Sequence, residues 1–142
     1  MQFPYSHISN SEEETKQIAY EFADFITEGM IIILNGDLGA GKTLFIKSVL
    51  KKFQIGEANS PTFSIVNEYS GNKKFFHFDF YRINKKNELY DIGIEDYFND
   101  SQSIIFIEWG NLFEDILPKK RIEINILYDD FDTRIFNFLK YE

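Results

Sequence analysis

Met30-Ile31-Ile32-Ile33-Leu34-Asn35-Gly36-Asp37-Leu38-Gly39-Ala40-Gly41-Lys42-Thr43 is the stretch from which the fold can be read. Its apolar run has no polar alternation, as expected of a strand buried on both faces of a parallel sheet. The run stops at Gly36, and from there the residues fit G-x-x-x-x-G-K-[ST], the phosphate-binding loop. Gly36, Gly39 and Gly41 are expected to adopt positive φ and to let the backbone approach a ligand, so that the N–H groups of Asp37, Leu38, Ala40 and Leu44 can join theirs around phosphate oxygens. Lys42 supplies a cation for the β- and γ-phosphates, and the Thr43 hydroxyl is placed to ligate Mg²⁺. An amphipathic helix near Lys42 to Phe53, with Phe45, Ile46, Val49, Leu50 and Phe53 facing inward, would present the positive end of its dipole to the same anion. With glycine at roughly 7% of residues, a chance match to the four fixed positions is on the order of 1% in a chain this long. The pattern points to a nucleoside triphosphate site.

Bulk properties agree with one domain spanning residues 1–142, long enough to enclose a core. Aromatic residues make up 18% of the chain, 16 of them Phe, so apolar surface for burial is plentiful. The formal net charge of −8 argues against a broad basic face for nucleic acid, although an acidic chain can serve a nucleic-acid pathway through a partner. The absence of cysteine excludes disulfides and thiolate metal sites. Neither a signal-peptide pattern nor an apolar run near the ~20 residues of a membrane helix is seen, so the expected location is cytoplasmic.

Outward from the loop, Ser11-Glu12-Glu13-Glu14 fits a capping box, followed by a helical face of Ile18, Phe22, Phe25 and Ile26, with Gly29 as the expected stop. Ser60-Pro61-Thr62 forms a short loop with both hydroxyls available. Phe63 to Tyr69 and Lys74 to Phe80 read as a hairpin about Ser70-Gly71-Asn72. In it Phe76, Phe78 and Phe80 share one face, and Phe75, His77, Asp79 and Tyr81 the other. Asp79 is either a helix cap or a functional acid in the cleft. His77 suits a satisfied core or edge position better than a base, and Trp109 suits packing better than chemistry. Lys85 to Tyr97 is expected to be helical and broken near Gly93. Ser103 to Glu108 is a second continuous apolar strand ending in a carboxylate, the pattern of the metal-side acid in phosphate-loop enzymes. Arg121 to Leu127 and Thr133 to Tyr141 form a second antiparallel hairpin. The expected architecture is an α/β, P-loop NTPase-like three-layer domain with a mixed sheet and antiparallel hairpins.

Phosphoryl transfer asks the protein mainly for positioning and charge neutralisation. Thr43 with Glu108 (or Asp79) would hold magnesium, while Lys42 offsets charge on the departing diphosphate. Asp79 would orient the attacking water or complete the metal shell. Guanine recognition by N-K-x-D is not met, because Asn84-Lys85-Lys86-Asn87 lacks the final carboxylate, and Ile94 breaks D-x-x-G after Asp91. ATP is therefore expected over GTP.

Gly36 to Thr43, Ser60-Pro61-Thr62-Phe63, His77-Phe78-Asp79-Phe80-Tyr81-Arg82, Ile92-Gly93-Ile94-Glu95-Asp96-Tyr97-Phe98 and Ile107-Glu108-Trp109, in this order, resemble the TsaE family. These are small bacterial P-loop ATPases required for threonylcarbamoyladenosine modification of tRNA. The resemblance implies that Thr43 and Glu108 carry Mg²⁺, that Asp79 matters for ATP hydrolysis, and that Thr62 belongs to a nucleotide-sensing switch. It also implies adenine binding between the first helix start, near Glu12 and Thr15, and the C-terminal hairpin, with Arg134 in contact. The implied partners are TsaD and TsaB, which perform the transfer and contact tRNA, and ATP hydrolysis would reset that assembly between turnovers. One departure is Leu44, where the family usually carries a second Thr. No arginine is placed as a finger in cis unless Arg82 or Arg134 reaches the site, so weak turnover alone and stimulation by partners are expected. An ATP-gated binding module with incidental hydrolysis is the alternative. A small-molecule kinase is disfavoured by the lack of an evident lid.

Overall fold

Ile31–Asn35 forms a strand, β2, whose first four residues are buried. It lies fourth in a seven-stranded sheet and pairs in parallel with its neighbours on both sides. In the computed structural model, which describes residues 2–56, 65–129 and 132–142, the strands in chain order are β1 (Tyr5–Ser9), β2, β3 (Val66–Ser70), β4 (Lys74–Asp79), β5 (Ser103–Glu108), β6 (Arg121–Tyr128) and β7 (Arg134–Tyr141). Their spatial order is β1-β7-β6-β2-β5-β4-β3. The central strands β6, β2, β5 and β4 are parallel, and both edges are closed by antiparallel partners: β7 and β1 on one side, β3 on the other. This is the mixed α/β sheet with two hairpins that the apolar runs and turn residues predict.

The period of two along each strand sorts side chains into two cores. Ile32, Leu34, Phe75, Ile104 and Phe106 pack beneath helices α1 (Glu12–Ala23) and α2 (Lys42–Lys52). Ile31, Ile33, Phe76, Phe78, Ile105 and Ile107 pack against the short helices α3 (Asn87–Asp91) and α4 (Ile94–Phe98) and the adjoining 3₁₀ turns. Gly93 separates α3 from α4 at φ +79°, the break expected there. The aromatic hairpin is sorted as its alternation predicts, with Phe75 on the α1/α2 side and Phe76, Phe78 and Phe80 on the other.

Two local expectations are corrected. The first helix ends at Ala23 rather than running to Gly29, so Phe25 and Ile26 leave the helical face in a turn held by Phe25 N–H to Phe22 O and Ile26 N–H to Ala23 O. Gly29, at φ +90°, instead turns the chain into β2 and donates its N–H to Ser103 O at 2.8 Å. The capping at Ser11 is as expected, with Glu14 N–H donating to Ser11 Oγ, but the Glu14 carboxylate reaches one residue further back, to Asn10 N–H at 2.5 Å. Strand β1, which the residue pattern did not suggest, zips antiparallel onto β7 from Tyr5 opposite Phe138 to Ser9 opposite Arg134.

Phe45, fully buried on α2, stacks on Phe136 of β7 at 5.6 Å and approaches Phe22 of α1 at 5.8 Å. It therefore ties the loop's helix to the sheet below and to α1 beside it. Phe45→Ala is expected to cost about 3–5 kcal/mol of stability, a deletion in a site with no room to collapse; equilibrium urea unfolding followed by circular dichroism measures it.

Candidate functional site

The loop between β2 and α2 takes its shape from three glycines used in two ways. Gly39 and Gly41 lie at φ +83° and +105°, the left-handed region that favours glycine. Gly36 is not in that region, contrary to the sequence expectation. Its requirement is space: a Cβ there would stand 2.9 Å from Ile126 O and 3.1 Å from the Ala40 Cβ. Gly41 precedes α2, which has no side-chain cap and no acidic residue in its first turn. The helix start thus keeps its N–H groups and its positive dipole end for an anion. Asp37 closes the loop through its carbonyl, which accepts Ala40 N–H at 3.0 Å, while Leu38 stands exposed at the tip.

Lys42 opens the helix with only 5% of its surface exposed. Its ammonium donates to the carbonyls of Gly36 and Asp37, the latter at 3.0 Å, and sits 4.2 Å from the centre of the Trp109 ring. Burial pulls its pKa below the usual lysine range, and the carboxylates of Glu108, Asp37 and Asp79 oppose that pull. Trp109 follows β5 at φ +63° and also packs on Tyr81, ring centres 5.0 Å apart.

The carboxylates arrive from adjacent parallel strands. Asp79 and Glu108 are the last residues of β4 and β5 and lie directly opposite in the register. Both therefore stand at the carboxyl ends of the strands, where open α/β sheets place their ligands. Glu108, 6% exposed, faces the Thr43 hydroxyl, which is 3.3 Å from each of its oxygens. His77 Nε2 lies 2.7 Å from Glu108 Oε2. Of the two positions its sequence context allowed, a cap and a place in the cleft, Asp79 occupies both. It caps the 3₁₀ turn Phe80–Arg82, accepting Tyr81 N–H at 3.1 Å, and it lines the same cleft as Lys42.

This cleft, about 350 Å³, gathers Lys42, Thr43, Asp79 and Glu108 with Gly39, Gly41 and Leu44 of the loop and helix start. Glu12 and Thr15 of α1 and Arg134 of β7 also line it. The Thr15 hydroxyl is engaged by Ser9 Oγ at 2.7 Å. Arg134 holds the loop: Nε donates to Ala40 O at 2.9 Å, Nη2 to Gly39 O at 3.1 Å, and the guanidinium lies 4.6 Å from the Tyr128 ring centre. Thr62, with Ser60 and Pro61, lies outside the described residues. A larger cavity, about 610 Å³, opens at the other end of the strands near Met30 and Arg121, away from these carboxylates.

His77, bonded to Glu108, and Trp109, packed on Tyr81 and Lys42, take the satisfied and packing positions expected of them; the sequence did not show that their partners lie at this site. A tryptophan or a histidine beside a buried strand is usually packing. The signal that could have raised them is position, since Trp109 directly follows the strand-end carboxylate and His77 lies two residues before Asp79 on the same face of β4.

A buried strand, a glycine loop and an uncapped helix beneath two strand-end carboxylates define the class, an α/β protein of P-loop NTPase-like architecture. Residues 9–136 match the family model for the threonylcarbamoyl adenosine biosynthesis protein TsaE, and the chain belongs to the TsaE family. It is similar to the tRNA threonylcarbamoyladenosine biosynthesis protein TsaE of Rickettsia typhi, 38% identical over 94% of each chain. The protein of that name from Bacillus subtilis is 41% identical over 89% of this chain and 79% of its own. Among solved structures, Bacillus subtilis YdiB superposes with a TM-score of 0.81 at 31% identity, covering 100% of this chain and 88% of that one. Among the described residues, no helix is long and apolar enough to cross a membrane.

The opposing influences on Lys42 are separable. Its ε-ammonium is expected to titrate below the exposed lysines, and Glu108→Gln should lower its pKa further, because that carboxylate holds it up. Titration of ¹⁵N-labelled lysine side chains by NMR measures both shifts.

Proposed function

We propose that this protein is a Mg²⁺-dependent ATP hydrolase serving threonylcarbamoyladenosine modification of tRNA, where hydrolysis resets a TsaD–TsaB assembly between turnovers. The observation carrying this reading is the convergence of Lys42, Thr43, Glu108 and Asp79 at the uncapped start of α2. Family membership supplies the pathway. The missing guanine-reading carboxylate at Asn87 favours ATP.

The donor set suits magnesium. Hard oxygen ligands, one hydroxyl and one carboxylate already facing each other, fit an ion that keeps waters and takes phosphate oxygens for its remaining positions. Thr43 and Glu108 would hold it, and the ion would offset charge on the β- and γ-phosphates. The amides of residues 36–44 would cradle the phosphates, with Lys42 leaving the Gly36 and Asp37 carbonyls for phosphate oxygens. Asp79, its carboxylate fixed by Tyr81 N–H, would orient the attacking water or join the metal shell. Arg134 is bonded to Gly39 O and Ala40 O, so this arginine shapes the loop rather than reaching for the γ-phosphate. Arg82 is paired with Asp79, Nε 3.6 Å from Oδ2, so both candidate arginines are engaged within the protein, and weak turnover alone, raised by TsaD and TsaB, is the expected behaviour. The acidic composition suits a protein that leaves tRNA contact to those partners.

Reconstitution with TsaD, TsaB, tRNA, threonine, bicarbonate and ATP tests the proposal. Glu108→Ala and Asp79→Ala proteins that still take up ATP are expected to lose turnover by about two orders of magnitude or more, and multiple-turnover modification with it. Full modification by such variants would make hydrolysis incidental and the protein an ATP-gated module. Arg134 separates two further readings. If it acts by holding the loop, Arg134→Ala should weaken ATP and inorganic tripolyphosphate by the same factor in calorimetry, whereas an adenine contact would weaken ATP alone.

A further inference from the structure

Among the described residues, two side chains hydrogen-bond the Glu108 carboxylate, and they are unequal. The Thr43 hydroxyl stands 3.3 Å from both oxygens, at the long end of hydrogen-bond range. A hydroxyl carries one proton, so it serves one of those oxygens at a time and leaves the carboxylate free to pivot. His77 Nε2 stands 2.7 Å from Oε2, with the two side chains 11% and 8% exposed. A carboxylate only accepts, so the hydrogen in this contact lies on Nε2. The short, buried bond is therefore the one that fixes the plane of the carboxylate.

The strand that carries the imidazole is fixed on both sides. It lies between β5 and β3, with His77 in register with Phe106 on one side and Asn67 on the other. Two residues back on the same face, Phe75 stacks flat on Phe106, ring centres 5.9 Å apart and planes 4° apart. A phenylalanine at 77 would continue that aromatic surface, whereas an imidazole in a nearly dry position is costly unless its nitrogens are bonded. Packing alone does not call for a donor here.

We infer that His77 is a positioning residue for the metal-side acid: by binding Glu108 Oε2 it sets the carboxylate so that Oε1 and the Thr43 hydroxyl face the cleft together. The inference rests on the proposed metal–nucleotide site. Partners that orient a ligating group typically change metal affinity 10–100-fold when removed. His77 touches neither phosphate nor metal and acts through Glu108.

The test compares His77→Phe, which keeps the ring and removes the donor, with His77→Gln, whose Nε2 can donate from a similar reach. The probe is Mn²⁺, titrated by electron paramagnetic resonance in the presence of a non-hydrolysable ATP analogue. For His77→Phe the Mn²⁺ half-saturation should rise about 10–100-fold, with the melting temperature and the metal-free affinity for the analogue close to the parent's. His77→Gln should recover most of the loss. Unchanged Mn²⁺ affinity in His77→Phe would overturn the positioning role while leaving the site reading intact. A parallel fall in melting temperature and metal-free affinity, or failure of Gln to rescue, would reduce His77 to packing and also overturn it. A parent protein that takes up no Mn²⁺ with the analogue would remove the proposed site and this role together.

Discussion

The ammonium of Lys42 lies almost out of water, among the carbonyls of Gly36 and Asp37 and the face of Trp109, and the surrounding chain is built to tolerate it. Desolvating a cation is costly, so each contact around it has an electrostatic reason. The carbonyls come from a loop that can turn inward because two of its glycines adopt positive φ and a third lies where a side chain would strike Ile126 O. The carboxylates are near because the parallel strands β4 and β5 end level with each other. The strand supplying the loop has no solvent face, since one core covers Ile32 and Leu34 and the other covers Ile31 and Ile33.

Much of this was legible in the residues. The unbroken apolar run Met30 to Leu34 predicted β2 because a strand buried on both faces cannot alternate. The hairpin of alternating aromatics sorted onto two faces because alternate residues of a strand face opposite ways, whatever the neighbouring layers contain. The match at Gly36 to Thr43 located the loop, and the carboxylate ending Ser103 to Glu108 located the acid facing Thr43. What escaped depended on distant partners. Tyr5 to Ser9 has too few apolar residues to announce a strand, and its pairing comes from β7 more than a hundred residues later. The end of α1 was misplaced because Phe25 and Ile26 keep helical spacing while serving a turn. Gly36 was given the wrong reason, since a sequence does not show which carbonyl will crowd a Cβ.

His77 and Trp109 show the same limit at the site. Each reads as packing in the sequence, and each meets a partner brought near by folding: Glu108 for the histidine, Lys42 for the tryptophan. Arg134 was expected to contact a nucleotide; what the structure shows is its guanidinium hydrogens directed to the loop carbonyls of Gly39 and Ala40.

That guanidinium also has a bearing on biogenesis. A ribosome delivers the chain from its amino end, so residues 36–43 emerge long before Arg134, and β1 waits unpaired until β7 follows. The loop made early in synthesis is braced only once β7 has been made. A nascent chain stopped before β7 would thus carry the whole glycine motif and still lack both the Arg134 brace on its carbonyls and the strand that pairs β1.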